Sequence, residues 1–163
     1  MDDYSKIRKN DAKPILASGV RVIGEWQLDH FFYDSFTGTS ADPSRRLFLV
    51  NNLRRYLHEL RKLNLYIEVW IDGSFVTNKL DPSDIDLTVF VHGYELDTLP
   101  VIHKQQLTRL TNDPDLMLAR YTVHGFLAYL EDESEKDYWD GLFSKGHYTN
   151  SEKGYFKIII PHV

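Results

Sequence analysis

The chain has 163 residues, enough for one domain with its own core, and its 42% hydrophobic and 26% charged residues are ordinary for a globular protein. A net charge of −5 gives no support to a basic nucleic-acid-binding face, so nucleic acid is not an expected partner. Cysteine is absent, which excludes a disulfide framework and a thiolate metal site.

Residues 1–14 are polar and patternless and are read as a flexible N-terminal segment, leaving 15–163 as one domain. Met1-Asp2-Asp3-Tyr4 lacks the apolar centre of a secretory leader, and no run of about 18 apolar residues is present to cross a membrane. The expectation is a cytoplasmic chain with no membrane partner. Val20-Arg21-Val22-Ile23 reads as a short strand or extended arm. A loop or short helix then carries Trp26 and Phe31-Phe32-Tyr33, and Gly38-Thr39-Ser40 breaks it. Asp42-Pro43 opens a helix to Leu63, because Asp caps and Pro suits the first helical position. Its apolar stripe is Leu49, Val50, Leu53, Leu57 and Leu60. Arg45, Arg46, Arg54, Arg55, Arg61 and Lys62 fill the other face and are expected to be solvated.

Tyr66–Ile71 reads as a strand ending at Gly73-Ser74, and Asp84–Val91 as a second strand closed by Gly93. Pro82 keeps the connection short and irregular. Pro100–Thr111 has helical spacing and stops at Asp113-Pro114. Tyr121–Leu130 is a third strand. Ser134 with Asp137 resembles a capping box for a helix bearing Tyr138, Trp139, Leu142 and Phe143. Tyr155–Ile160 is a last strand, closed by Pro161. This order predicts an α+β fold, a small mixed sheet with helices packed on it.

The chemistry concentrates where Gly73-Ser74 precedes Asp84-Ile85-Asp86. Residues two apart on a strand share a face, so Asp84 and Asp86 project together. Mg²⁺ takes oxygen ligands, commonly one or two carboxylates plus phosphate oxygens. Gly73 lets backbone N–H groups approach phosphates, and the Ser74 hydroxyl is a further donor. Lys79 reaches toward a phosphate from the connecting turn. A buried strand seldom begins with two same-face carboxylates unless something binds them. Phe31-Phe32-Tyr33 and Trp139 are expected in the core rather than as base-stacking platforms. Lys153 and Lys157 are expected on a solvated edge.

Trp70 to Leu87, with Gly73-Ser74-Phe75-Val76-Thr77-Asn78-Lys79 and Pro82-Ser83-Asp84-Ile85-Asp86, resembles the core motif of the polymerase-β-type nucleotidyltransferase superfamily. The wider stretch from Gly19 to Val91, with Trp139, Phe143 and Lys153-Gly154-Tyr155-Phe156-Lys157-Ile158, is similar to minimal single-domain microbial members of this type. The resemblance implies a nucleotidyltransferase core, Mg²⁺ (or Mn²⁺) on Asp84 and Asp86, and an NTP, ATP by preference, over Gly73, Ser74 and Lys79. It implies transfer of NMP to an acceptor hydroxyl, with a partner protein as acceptor. Active members carry a third carboxylate on a neighbouring strand. Here Arg120–Leu130 holds no acid, and Glu131, just beyond it, is the candidate. His124 is expected to be a hydrogen-bonded structural residue, since imidazole suits Mg²⁺ poorly. The alternative reading is a catalytically weak or inactive nucleotide-binding or interaction protein of a toxin–antitoxin or defence system.

Overall fold

Alternation along five short strands divides the molecule into two layers of unequal depth. The computed structural model describes residues 12–38, 42–145 and 152–163. The strands are β1 (Val20–Val22), β2 (Ile67–Asp72), β3 (Ile85–Val91), β4 (Val123–Tyr129) and β5 (Tyr155–Ile160). They form one mixed sheet in the order β1-β5-β2-β3-β4. The β2–β3 and β2–β5 pairs are antiparallel, and the β1–β5 and β3–β4 pairs are parallel. The expected α+β class therefore holds, with β2 and β3 adjacent.

One sheet face presents Ile67, Val69, Ile71, Leu87, Val89, Phe156 and Ile158 to the main core. Helix α1 (Leu28–Phe32) and the long helix α2 (Ser44–Arg61) cover it with Leu28, Phe32, Leu49, Leu53 and Leu57. The opposite face presents Trp70, Phe90, Ala128 and Tyr155, which pack with Phe143 and Trp139. Two short elements went unforeseen. Helix α3 (Gly93–Thr98) follows β3, and α4 (Val101–Asn112) is succeeded by α5 (Pro114–Tyr121). Asp113-Pro114 both ends α4 and starts α5, because the Asp113 carboxylate accepts the Leu116 N–H and Pro114 takes the first turn. Helix α6 (Glu133–Phe143) begins two residues earlier than the expected box: Asp132, not Ser134, is the cap and accepts the amides of Ser134 and Glu135.

Two other expectations change. Residues 1–11, 39–41 and 146–151 lie outside the described residues, so the flexible reading of the N-terminus concerns mostly those. Lys13 to Ile15, however, is tied down: the Ile15 amide donates to Val76, and Pro14 bridges Thr77. The solvated reading of the arginines fails at Arg46, which is fully buried. Its guanidinium donates to the carbonyls of Phe75 at 2.8 Å, Thr77 at 2.5 Å and Lys79 at 3.0 Å, with Phe32 at 3.4 Å. It lies 3.9 Å over the Phe36 ring. Burial lowers its pKa to about 10, still well above neutrality. Beside it, Arg45 donates to the Pro82 and Ser83 carbonyls. The first turn of α2 thus grips the whole loop between β2 and β3.

A lysine in place of Arg46 has three donors on a point charge and lacks the planar fork. Carbonyls left buried and unmet cost about 1–3 kcal/mol each. Arg46→Lys is expected to lower unfolding free energy by about 3 kcal/mol or more, read from urea denaturation. A loss below about 0.5 kcal/mol, the scale of an ordinary surface change, contradicts this role.

Candidate functional site

The site grows from the register of three strands. Asp72, the last residue of β2, lies directly opposite Asp86 near the start of β3. Asp86 in turn lies beside His124 in the parallel β3–β4 pair. Directly paired residues share a face, so Asp72, Asp86 and His124 form one row across the sheet. His124 Nδ1 stands 3.3 Å from Asp86 Oδ1. Asp84 is two residues before Asp86 and one before β3 begins, so extended geometry sends it to the same face.

Two backbone oddities hold this row together. Gly73 has φ +77°, and a β-carbon there would fall 2.1 Å from Asp86 Oδ2. The Gly73 backbone therefore lies against the Asp86 carboxylate, where no other residue fits. Thr122 adopts φ +55°, an outlier for a β-branched residue. Its carbonyl accepts the Ile85 amide at 3.0 Å, and its hydroxyl accepts from Asn52. That kink turns α5 into β4 in the register that brings His124 beside Asp86.

Ser74 follows Gly73 in a single 3-10 turn, Ser74–Val76, and is half-buried. Its carbonyl accepts both the amide and the hydroxyl of Thr77. Phe75 beneath it stacks on Phe32 at 4.5 Å. Lys79 is half-buried on the connecting loop, and its carbonyl is one of those clamped by Arg46.

Glu131 does not join the row. It sits past the far end of β4, where Oε2 accepts the Gly93 amide at 3.1 Å and Oε1 lies 2.9 Å from His92 Nδ1. The Gly93 amide and His92 hold its carboxyl below the ordinary range. Five residues of β3 separate the Asp86 pair from the Val91–Tyr129 pair, roughly 17 Å of strand. The acid after the strand was a poor substitute for an acid on it, because β4 runs parallel to β3 and its end points away from Asp86. Sequence reasoning instead missed Asp72 and Lys153. Lys153 is buried rather than solvated, and its ammonium pairs with Asp72. Lys157 likewise pairs with Glu68 at 3.2 Å and lies over Trp70.

Mg²⁺ needs only one or two protein carboxylates beside ligand oxygens, and Asp84 and Asp86 are ligands of that type. Among the described residues no cluster of three or more His, Asp or Glu is arranged to hold a metal on its own. No helix among them is long and apolar enough to cross a membrane. Residues 11–159 match the model of a family of unknown function, DUF6932, and the chain belongs to that family. Comparison with the curated proteins and with the solved structures gives no match in either.

Burial pushes the Asp72 carboxyl up to about 6, against the pull of Lys153. Its ordinary value is 3.8, so between pH 4 and 6 the folded chain keeps a proton that the unfolded chain has released. Stability from this group is thus complete below about 3.8 and is lost as pH rises through about 6. The stability of wild type minus that of Asp72→Asn should fall as pH rises across this window in urea titrations. A difference that rises with pH means that the lysine pairing outweighs burial.

Proposed function

We propose that this chain is a Mg²⁺-dependent nucleotidyltransferase with a polymerase-β-like core, moving NMP from an NTP, ATP by preference, to an acceptor hydroxyl. The observation that carries the reading is the contact between Gly73 and Asp86. It sets the backbone of Gly73, the one residue there without a side chain, directly against a carboxylate of the paired acids, and such backbone suits phosphates. Both halves of the resemblance found in the sequence therefore meet at one place on the sheet.

In this reading Asp84 and Asp86 hold the metal, which neutralises triphosphate charge and orients the reacting phosphate. The Gly73 and Ser74 amides and the Ser74 hydroxyl bind and align the phosphates, with Lys79 adding charge from the loop. The acceptor oxygen forms a bond to the α-phosphorus, the bond to pyrophosphate breaks, and the acceptor proton is released. Alignment and charge neutralisation supply most of the acceleration in such transfers. The acceptor, a hydroxyl on a partner protein, rests on the family resemblance alone.

A specific observation favours the second reading, a catalytically weak or inactive nucleotide-binding or interaction protein of a toxin–antitoxin or defence system. The position beside Asp86 on β4 is His124 rather than a carboxylate, and Asp72 is committed to Lys153. Turnover by the isolated chain is therefore expected to be slow and to rise with its partner.

Asp84→Ala with Asp86→Ala should abolish Mg²⁺-dependent ATP binding in calorimetry while the thermal transition persists. Glu131→Gln should leave that binding unchanged. Unaltered affinity in the double variant contradicts the site. Label transfer from α-labelled ATP to a lysate protein, lost in the same variant, separates the transferase from the mere binder.

A further inference from the structure

Beside the acid row stands an aromatic wall that the phosphate chemistry does not use. On β4, two residues beyond His124, Phe126 is 44% exposed. Its ring contacts His124 at 5.2 Å on one side and Trp139 of α6 at 5.1 Å on the other. Tyr138, 62% exposed, stands edge-on to Trp139 at 5.1 Å. Two strand residues span roughly 6.6 Å, so the wall begins about one sugar's reach from the Asp86 row.

A second observation points to a ligand there. Thr88 pairs in register with both Trp70 and Phe126, two residues along β3 from Asp86 and on the same face. It is fully buried, and its hydroxyl has no hydrogen-bond partner among the described residues. A buried hydroxyl left unmet is costly, and a native structure keeps one where something else bonds it. Of its two register partners, Trp70 is buried and Phe126 is the exposed one.

We propose that this wall is the nucleoside subsite. The base stacks on Phe126 and Trp139, and the Thr88 hydroxyl bonds the nucleoside once the Phe126 ring turns aside. The inference rests on the placement of the triphosphate over Gly73-Ser74, and it assigns the end of the nucleotide that the acid row leaves free. Trp139, expected in the core, is half-buried and doubles as the rear of this platform.

The test uses two probes on the full chain: adenosine without metal, and inorganic tripolyphosphate with Mg²⁺, followed by tryptophan fluorescence and calorimetry. Adenosine should quench tryptophan emission. Phe126→Ala should weaken adenosine roughly five- to a hundredfold, the usual range for losing one stacking partner, and leave tripolyphosphate unchanged. Phe126→Trp should restore adenosine binding, which a purely structural role would not do. Thr88→Val should be at least as stable as wild type in thermal denaturation, yet bind adenosine more weakly. No adenosine binding by wild type, or binding indifferent to both Phe126→Ala and Thr88→Val, overturns the subsite. Adenosine binding by wild type with no binding of tripolyphosphate and Mg²⁺ instead overturns the phosphate reading and leaves the subsite standing.

Discussion

The buried guanidinium of Arg46 is the interaction on which the rest of this molecule depends. A loop of twelve residues between β2 and β3 must present Gly73-Ser74 at one end and Asp84 at the other. Such a loop has few apolar side chains to bury and many backbone carbonyls to satisfy. Arg46 answers both needs: its donors meet the carbonyls of Phe75, Thr77 and Lys79, and its flat face packs on Phe36. Because Arg46 and Arg45 belong to the first turn of α2, the helix that fills the main core also holds the loop. Core packing and site geometry are thereby coupled through one turn of helix.

The strands and the long helix were legible because their signals are local. The stripe from Leu49 to Leu60 and the apolar runs leading to Gly73 and from Ile85 need no knowledge of partners. Asp84, Asp86, Gly73 and Ser74 were legible for the same reason. What failed was set by register or burial. Asp72 fell just past the predicted Tyr66–Ile71 strand, and only the antiparallel pairing puts it opposite Asp86. Arg46 looked like one arginine among several, since helical spacing does not say which member of an Arg-Arg pair meets a loop 30 residues away. Glu131 was chosen for its closeness in sequence to β4, but a parallel strand carries its end away from the row.

The two ends of the sheet have divided roles. At the Gly93 end, Glu131 closes the start of α3 and steadies His92, an arrangement that satisfies backbone groups. At the Gly73 end stand a buried Asp72 carboxyl raised against the pull of Lys153, an exposed His124 beside Asp86 and, just inside, the unmet Thr88 hydroxyl, while the Gly93 end holds a second buried unmet oxygen on Glu95. Perturbed acids and unmet polar groups gather where ligands bind. The row of Asp72, Asp86 and His124 is found at the Gly73 end, which the proposed function takes as the working end.

The central claim is that a divalent ion and triphosphate settle on the Gly73–Asp86 corner. Paramagnetic broadening reads this most directly. Mn²⁺ added with a non-hydrolysable ATP analogue should erase the amide NMR signals of Gly73, Ser74, Ile85 and Asp86 first, leaving those of Gly93 and Glu131 sharp. Broadening centred on Gly93 and Glu131, or none at stoichiometric Mn²⁺ and nucleotide, would contradict the account.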